Sequence, residues 1–142
     1  MFITFEGIDL SGKSTQIKLL RENLIRDKKK VVAVREPGGT EISEKIRNII
    51  LDKDNLKMEY LTEFFLFSAS RHQLTNEIII PHLRKNYFVL CDRYFDSSTA
   101  YQGYGGMIDL KIINSVNKIA TGGLVPDITF LINISIDECI KR

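Results

Sequence analysis

The chain is poor in cysteine, in net charge and in long apolar runs, and each shortage removes a class of protein. Only Cys91 and Cys139 occur in 142 residues, each inside an apolar segment. That is the setting of small buried thiols in a reducing compartment, not of a redox pair. Neither cysteine has metal-ligand spacing with His72 or His82. Lysine and arginine number 20 against 18 acidic residues, a formal charge of +2. So small an excess gives no electrostatic footprint for nucleic acid. No apolar run is long enough to span a bilayer, and Met1–Glu6 carries no basic leader before a signal-type apolar stretch. The expectation is a cytoplasmic protein with no membrane and no nucleic-acid partner. There is no internal repeat, low-complexity tract or linker. With 44% hydrophobic and 27% charged residues, the composition suits one globular domain, residues 1–142, with its own core.

What is present is an alternation of short apolar runs and helical patterns. Phe2–Phe5 reads as a strand that ends in glycine. From Lys13 to about Asp27, Ile17, Leu20 and Leu24 recur three and four apart, with Leu19 and Ile25 widening the stripe. Lys28-Lys29-Lys30 suits the negative end of that helix. Val31–Val34 is a buried strand by its length and β-branching, and Pro37-Gly38-Gly39 is a loop. A helix is predicted over Glu41–Leu51, with Thr40 as its cap. A longer one is predicted from about Glu59 to Lys85, broken or kinked near its end by Pro81. Tyr87–Cys91 is a third strand. A helix from Asp109 to about Ala120 ends at Gly122-Gly123. Ile128–Ile134 is a fourth strand, and Ser135 with Glu138 forms a capping box opening a last helix that the sequence begins and does not finish at Arg142. Strands alternating with helices imply βαβ units and a mostly parallel sheet, an α/β fold.

Gly7-Ile8-Asp9-Leu10-Ser11-Gly12-Lys13-Ser14 fits the phosphate-binding loop between a strand and a helix. Gly7 and Gly12 let the backbone curl so that N–H groups converge on phosphate oxygens. The following helix start, with Thr15, adds a field that favours anions. Lys13 can reach the β- and γ-phosphates, and the Ser14 hydroxyl suits Mg²⁺. The same loop serves GTPases, ATPases and sulfotransferase-like folds, so it indicates nucleotide binding more than a reaction.

The third strand delivers Asp92 at its C-terminal end, the edge where parallel sheets bind ligands. An aspartate there is the usual partner of a phosphate loop for hydrated Mg²⁺. Arg93 beside it can clamp a phosphate with two donors. A plain salt bridge between neighbours is the other account of this pair.

Five segments taken together resemble bacterial thymidylate kinase, a P-loop nucleoside monophosphate kinase, in the family's order over the whole chain. They are Phe5–Asp9 with the phosphate loop, Arg35-Glu36-Pro37-Gly38-Gly39-Thr40, Phe67-Ser68-Ala69-Ser70-Arg71, Asp92-Arg93-Tyr94, and Ser97–Gly103. The resemblance implies Mg²⁺-dependent transfer of the γ-phosphate of ATP, the co-substrate, to dTMP, giving dTDP and ADP on the route to dTTP. It implies a three-layer P-loop kinase fold with strand order 2-3-1-4 and a fifth strand beyond this sequence. It implies catalytic roles for Lys13, Asp9 and Arg93, and phosphate binding over Gly7, Ile8, Asp9, Leu10, Ser11, Gly12, Lys13, Ser14 and Thr15. Metal contacts would come from Ser14 and Asp92, with Asp9 as a further candidate.

On the acceptor side the same resemblance implies that Asp9 faces the sugar and its 3′-hydroxyl, Phe67 stacks on thymine, and Arg71 hydrogen-bonds the base. Arg93 would hold the acceptor phosphate, with Arg47 and Glu36 lining that side. Ser98 and Gln102 would face the base if their turn is helical, and Tyr101 would crowd C2′ against a ribonucleotide. Read from the residues alone, Phe67 also fits core packing, Ser98 and Gln102 a turn cap, and Arg47 a solvated helix face. Where one subclass of the family has an arginine inside the loop, this chain has Leu10. It resembles instead the subclass that supplies basic residues from a mobile lid, expected beyond Arg142.

The long helix is apolar on nearly all faces between Leu61 and Ala69, as a central core helix or one meeting a symmetric partner would be; the family resemblance implies the latter, a homodimer. Two other readings share the loop: another nucleoside monophosphate or deoxynucleoside kinase, and a nucleotide-binding module without catalysis. A GTPase is disfavoured because no Asn-Lys-x-Asp segment occurs.

Overall fold

The computed structural model describes residues 1–141; Arg142, where the last predicted helix was expected to run on, lies outside the described residues. Four strands form a parallel sheet: β1 (Phe2–Glu6), β2 (Val31–Arg35), β3 (Phe88–Asp92) and β4 (Ile128–Leu131), in the order β2-β3-β1-β4. That is the expected order. The central strands β1 and β3 are buried on both faces, with alternate residues facing opposite sides; β2, expected as a buried strand, lies towards the sheet edge and is only partly covered, and β4 is exposed. Phe2, Val89 and Cys91 pack with Leu74, Ile79 and Tyr94 on one side, while Ile3, Phe5 and Leu90 pack with Ile17 on the other. Period-two alternation with apolar residues on both faces requires helices above and below, which gives three layers.

Helix α1 (Lys13–Arg26) supplies Ile17, Leu20 and Leu24 to the second face. Helix α2 (Glu41–Leu51) starts at Thr40, whose hydroxyl accepts from the Ser43 backbone N–H. The predicted long helix is present as α3 (Tyr60–Leu74), one wider π-helical turn (Thr75–Ile79), and α4 (Ile80–Arg84). The chain is therefore not broken at Pro81; it widens just before it. Proline lacks an N–H, and its ring would press on the carbonyl four residues back. The turn before it accommodates this with an i→i+5 hydrogen bond from Ile80 to the Thr75 carbonyl.

A short helix α5 (Phe95–Ser98) and a second π-helical turn (Thr99–Gly105) follow β3. Helix α6 (Leu110–Thr121) is capped by Asp109 and ends at Gly122 in the left-handed conformation. Helix α7 (Ile136–Ile140) begins at Ser135, whose hydroxyl accepts from the Glu138 N–H.

All four strand boundaries differ from the sequence reading, β1 and β2 each running one residue further, to Glu6 and Arg35. β3 is one residue later, so Asp92 is its last residue rather than the residue after it. β4 ends at Leu131 and not at Ile134, because its partner β1 turns away into the glycine loop after Glu6. Cys91 is buried as expected, but Cys139 is only partly covered, with its thiol donating to the Asp9 carbonyl.

Candidate active site

The site lies at the C-terminal ends of β1 and β3, where the chain leaves two adjacent parallel strands for loops. Gly7 sits at φ 146°, and a β-carbon there would fall 2.6 Å from the Ile132 carbonyl oxygen. No other residue fits that turn. The loop then tightens through Leu10 at φ 59° and enters α1 at Gly12, φ 98°. Lys13 is buried and donates to the carbonyls of Gly7 (3.0 Å) and Ile8 (2.8 Å). Burial, followed by the nearby Arg93 charge, lowers the Lys13 ammonium from its ordinary range. The Ser14 hydroxyl donates to Asp92 Oδ2 at 3.1 Å, joining the loop to the end of β3.

A cleft of about 720 Å³ runs over this loop, lined by Asp9, Leu10, Gly12, Lys13, Ser14 and Thr15 together with Asp92, Arg93, Glu36, Arg47 and Arg35. Gly7, Ile8 and Ser11 of the predicted loop do not line it. A second cavity of about 320 Å³ adjoins it, and all nine predicted acceptor residues line it: Asp9, Glu36, Arg47, Phe67, Arg71, Arg93, Ser98, Tyr101 and Gln102. Asp9, Glu36, Arg47 and Arg93 border both cavities, so the two spaces meet at these side chains.

Arg93 is the hinge of the arrangement. Its backbone is in the left-handed region at φ 66°, a conformation that costs a non-glycine residue about 1–3 kcal/mol and clusters at functional sites. The turn aims the guanidinium at Asp9 Oδ1 (2.6 Å) and Ser97 Oγ (3.1 Å), with the Tyr101 ring 5.4 Å away. The pair is more than the alternative of a bridge between neighbours: Arg93 spans from β3 to the phosphate loop.

Arg71 is wholly buried on α3 and serves first as an internal hub. It makes a two-pronged ion pair with Glu36 (3.1 and 3.0 Å) and donates to Asn117 Oδ1 (2.5 Å) and Ser98 Oγ (2.6 Å). A guanidinium has five N–H donors, so one on Nη1 remains outside this set. Arg47 reaches from α2 to the Pro37 carbonyl at 2.9 Å. Ser98 and Gln102 do lie on a helical segment, and both are buried.

Several contributors were not singled out from sequence. Asn117 reaches Arg71 from α6, 46 residues on. Glu63 accepts from Gln102 Nε2. Glu6, at the end of β1, accepts from the Tyr94 N–H (2.7 Å) and the Ser97 hydroxyl (2.6 Å) and so braces the turn that holds Arg93. Its position in the quoted Phe-Glu-Gly run was the only signal available.

Burial pushes the Glu6 carboxyl up to about 7, against the two hydrogen bonds that favour its charge. The folded chain therefore holds this proton between about pH 4.5 and 7, where the unfolded chain has lost it. Stability tied to Glu6 is fully present below that window and is lost as pH rises through it, by up to about 3 kcal/mol. Denaturant unfolding at pH 5 and pH 8 checks this: Glu6→Gln should flatten the decline. An identical decline in both proteins would remove Glu6 as its source.

The Ser14–Asp92 pair also bears on metal binding. One hydroxyl and one carboxylate facing a phosphate cleft match the sparse oxygen set of hydrated Mg²⁺. Among the described residues, no group of three or more His, Cys, Asp or Glu forms a cage suited to a tightly enclosed ion.

Residues 5–142 match the family model for thymidylate kinase. The chain is 49% identical to the thymidylate kinase of Kosmotoga olearia over its full length, covering 68% of that protein. It is 50% identical to that of Roseiflexus castenholzii, covering 62% of it. The crystal structure of thymidylate kinase from Ehrlichia chaffeensis superposes with a TM-score of 0.88 at 44% identity, over all of this chain and 81% of that one. The chain thus spans about two thirds of the length of these curated relatives. Likeness at this level over the phosphate loop, the Asp92-Arg93-Tyr94 strand end and the adjoining cavity shows that the chain belongs to the thymidylate kinase family of phosphotransferases.

Proposed function

We propose that the chain carries the catalytic site of an ATP:dTMP phosphotransferase that forms dTDP and ADP. The observation that carries this reading is the meeting of a phosphate-loop cleft and a polar-aromatic cavity at Asp9 and Arg93. A γ-phosphoryl held on the loop and an acceptor phosphate held by Arg93 would face each other at that junction. Positioning of this kind, with charge stabilisation, is what phosphoryl transfer needs from a protein.

In this reading the loop N–H groups and Lys13 hold the ATP phosphates. Ser14 and Asp92 would hold Mg²⁺, which neutralises charge on the β- and γ-oxygens when bound. Asp9 pairs with Arg93 and faces the acceptor sugar. Phe67 stacks on the base, and Ser98, Gln102 and the remaining Arg71 N–H read its edge. Tyr101, packed on Arg93, disfavours a 2′-hydroxyl, while Arg47 and Glu36 border the acceptor phosphate.

The same reading includes a cytoplasmic homodimer. Leu61, Phe65 and Ala69 lie four apart on α3 and are exposed, while Phe64, Ser68 and Arg71 on the adjoining face are buried. An exposed apolar line on an otherwise packed helix suits a symmetric partner. Among the described residues, no helix is long and apolar enough to cross a membrane.

A coupled ADP-release assay with ATP, run over dTMP, dCMP, dGMP, dAMP and the corresponding nucleosides with and without Mg²⁺, tests the function. Magnesium-dependent turnover that is fastest with dTMP is the expected result. Preference for another monophosphate, or for a nucleoside, would move the chain to a different acceptor.

A further inference from the structure

Glu63 and Gln102 come from different elements, α3 and the second π-helical turn, and both line the acceptor cavity. Gln102 Nε2 donates to Glu63 Oε1 at 3.0 Å, and Gln102 is only 4% exposed. A primary amide can turn end over end, exchanging a donor for an acceptor at nearly the same position. A carboxylate accepts and cannot donate. Glu63 therefore admits one amide orientation, with Nε2 toward itself and Oε1, an acceptor, as the other polar corner. Among the described residues Oε1 takes no hydrogen bond. Arg71, which lines the same cavity, keeps one N–H beyond its four internal bonds.

An acceptor and a donor lining one cavity can complement a 4-keto pyrimidine, whose N3–H donates and whose O4 accepts. A 4-amino pyrimidine presents the reverse at both atoms. Opposing like with like leaves buried polar groups unpaired, which is the strongest form of discrimination available to a pocket.

We propose that Glu63 is a positioning residue that locks the Gln102 amide and thereby makes the cavity select 4-keto over 4-amino pyrimidine monophosphates. The inference rests on the reading of this cavity as the base site. Glu63→Gln puts there a side chain that can donate as well as accept, which releases the lock while keeping size.

The test is the kcat/KM ratio for dTMP over 5-methyl-dCMP, which differ only at the 4-substituent and N3. It would be measured for wild type, Glu63→Gln, Gln102→Leu and the double variant, with thermal unfolding confirming that each is folded. The ratio should fall about tenfold or more in Glu63→Gln. It should fall no further when Glu63→Gln is added to Gln102→Leu. An unchanged ratio in Glu63→Gln, with a discriminating wild type, overturns the lock alone. A further fall in the double variant also overturns it, since Glu63 would then act without Gln102. A wild type that uses both substrates equally would sink the base-site reading itself, and the lock with it. Glu63→Leu supplies a second variant should Glu63→Gln unfold, with the same fall expected and an unchanged ratio again fatal to the lock.

Discussion

Replacing Lys13 by alanine is expected to reduce phosphoryl-transfer turnover by about 10²–10³-fold while the chain stays folded. That range is the cost of removing one preorganised group from a developing negative charge. Lys13 is held for such a task. Its ammonium is gathered over the loop by the carbonyls of Gly7 and Ile8, and its stem is buried at the start of α1. The packing of α1 on the sheet depends on Ile17, Leu20 and Leu24, none of which the substitution touches. Turnover at saturating dTMP and ATP, compared with wild type alongside melting curves, checks the expectation. A folded variant within about tenfold of wild type would mean that the loop binds phosphate without stabilising its transfer.

Arg71→Ala is expected to cost about 3–5 kcal/mol of folding stability, the usual penalty for stripping the partner from a buried charge. Glu36 is 4% exposed, and both its oxygens face Arg71. Asn117 and Ser98 would lose their donor at the same time. The substitution should therefore weaken dTMP binding by loosening the cavity wall as well as by removing the proposed base contact. Pairing it with Glu36→Gln should recover part of the stability, because a neutral amide is less costly to leave unpaired. Urea unfolding of the single and double variants checks this. A loss below about 1 kcal/mol in the single variant would show that water enters and solvates Glu36.

The parts of the site carried by local sequence were legible in the sequence. The phosphate loop needs glycines, a lysine and a hydroxyl at fixed spacing between a strand and a helix, and all of these are written in residues 5–15. The strand order was read through the family resemblance, and the structure shows it. What could not be read locally were the long-range partners. The hub at Arg71 joins residues 35 and 46 positions away, and nothing around Asn117 distinguishes it from a solvated helix residue. Glu6 fell just past the predicted strand Phe2–Phe5; its brace on Tyr94 and Ser97 exists only because β1 and β3 lie side by side. The early end of β4 likewise follows from its neighbour, since a strand extends only where it has a partner.

The two widened turns have a consequence for anyone redesigning this chain. One precedes Pro81 and the other carries Tyr101 and Gln102. Each spends an additional residue per turn and shifts the phase of everything after it, in the helix that anchors the core and in the segment that lines the smaller cavity alike. Substituting strong helix formers to regularise these stretches would improve local propensity and raise stability by the standards of an idealised backbone. The same change would rotate Gln102 away from Glu63, trading the proposed means of choosing a base for thermal hardness.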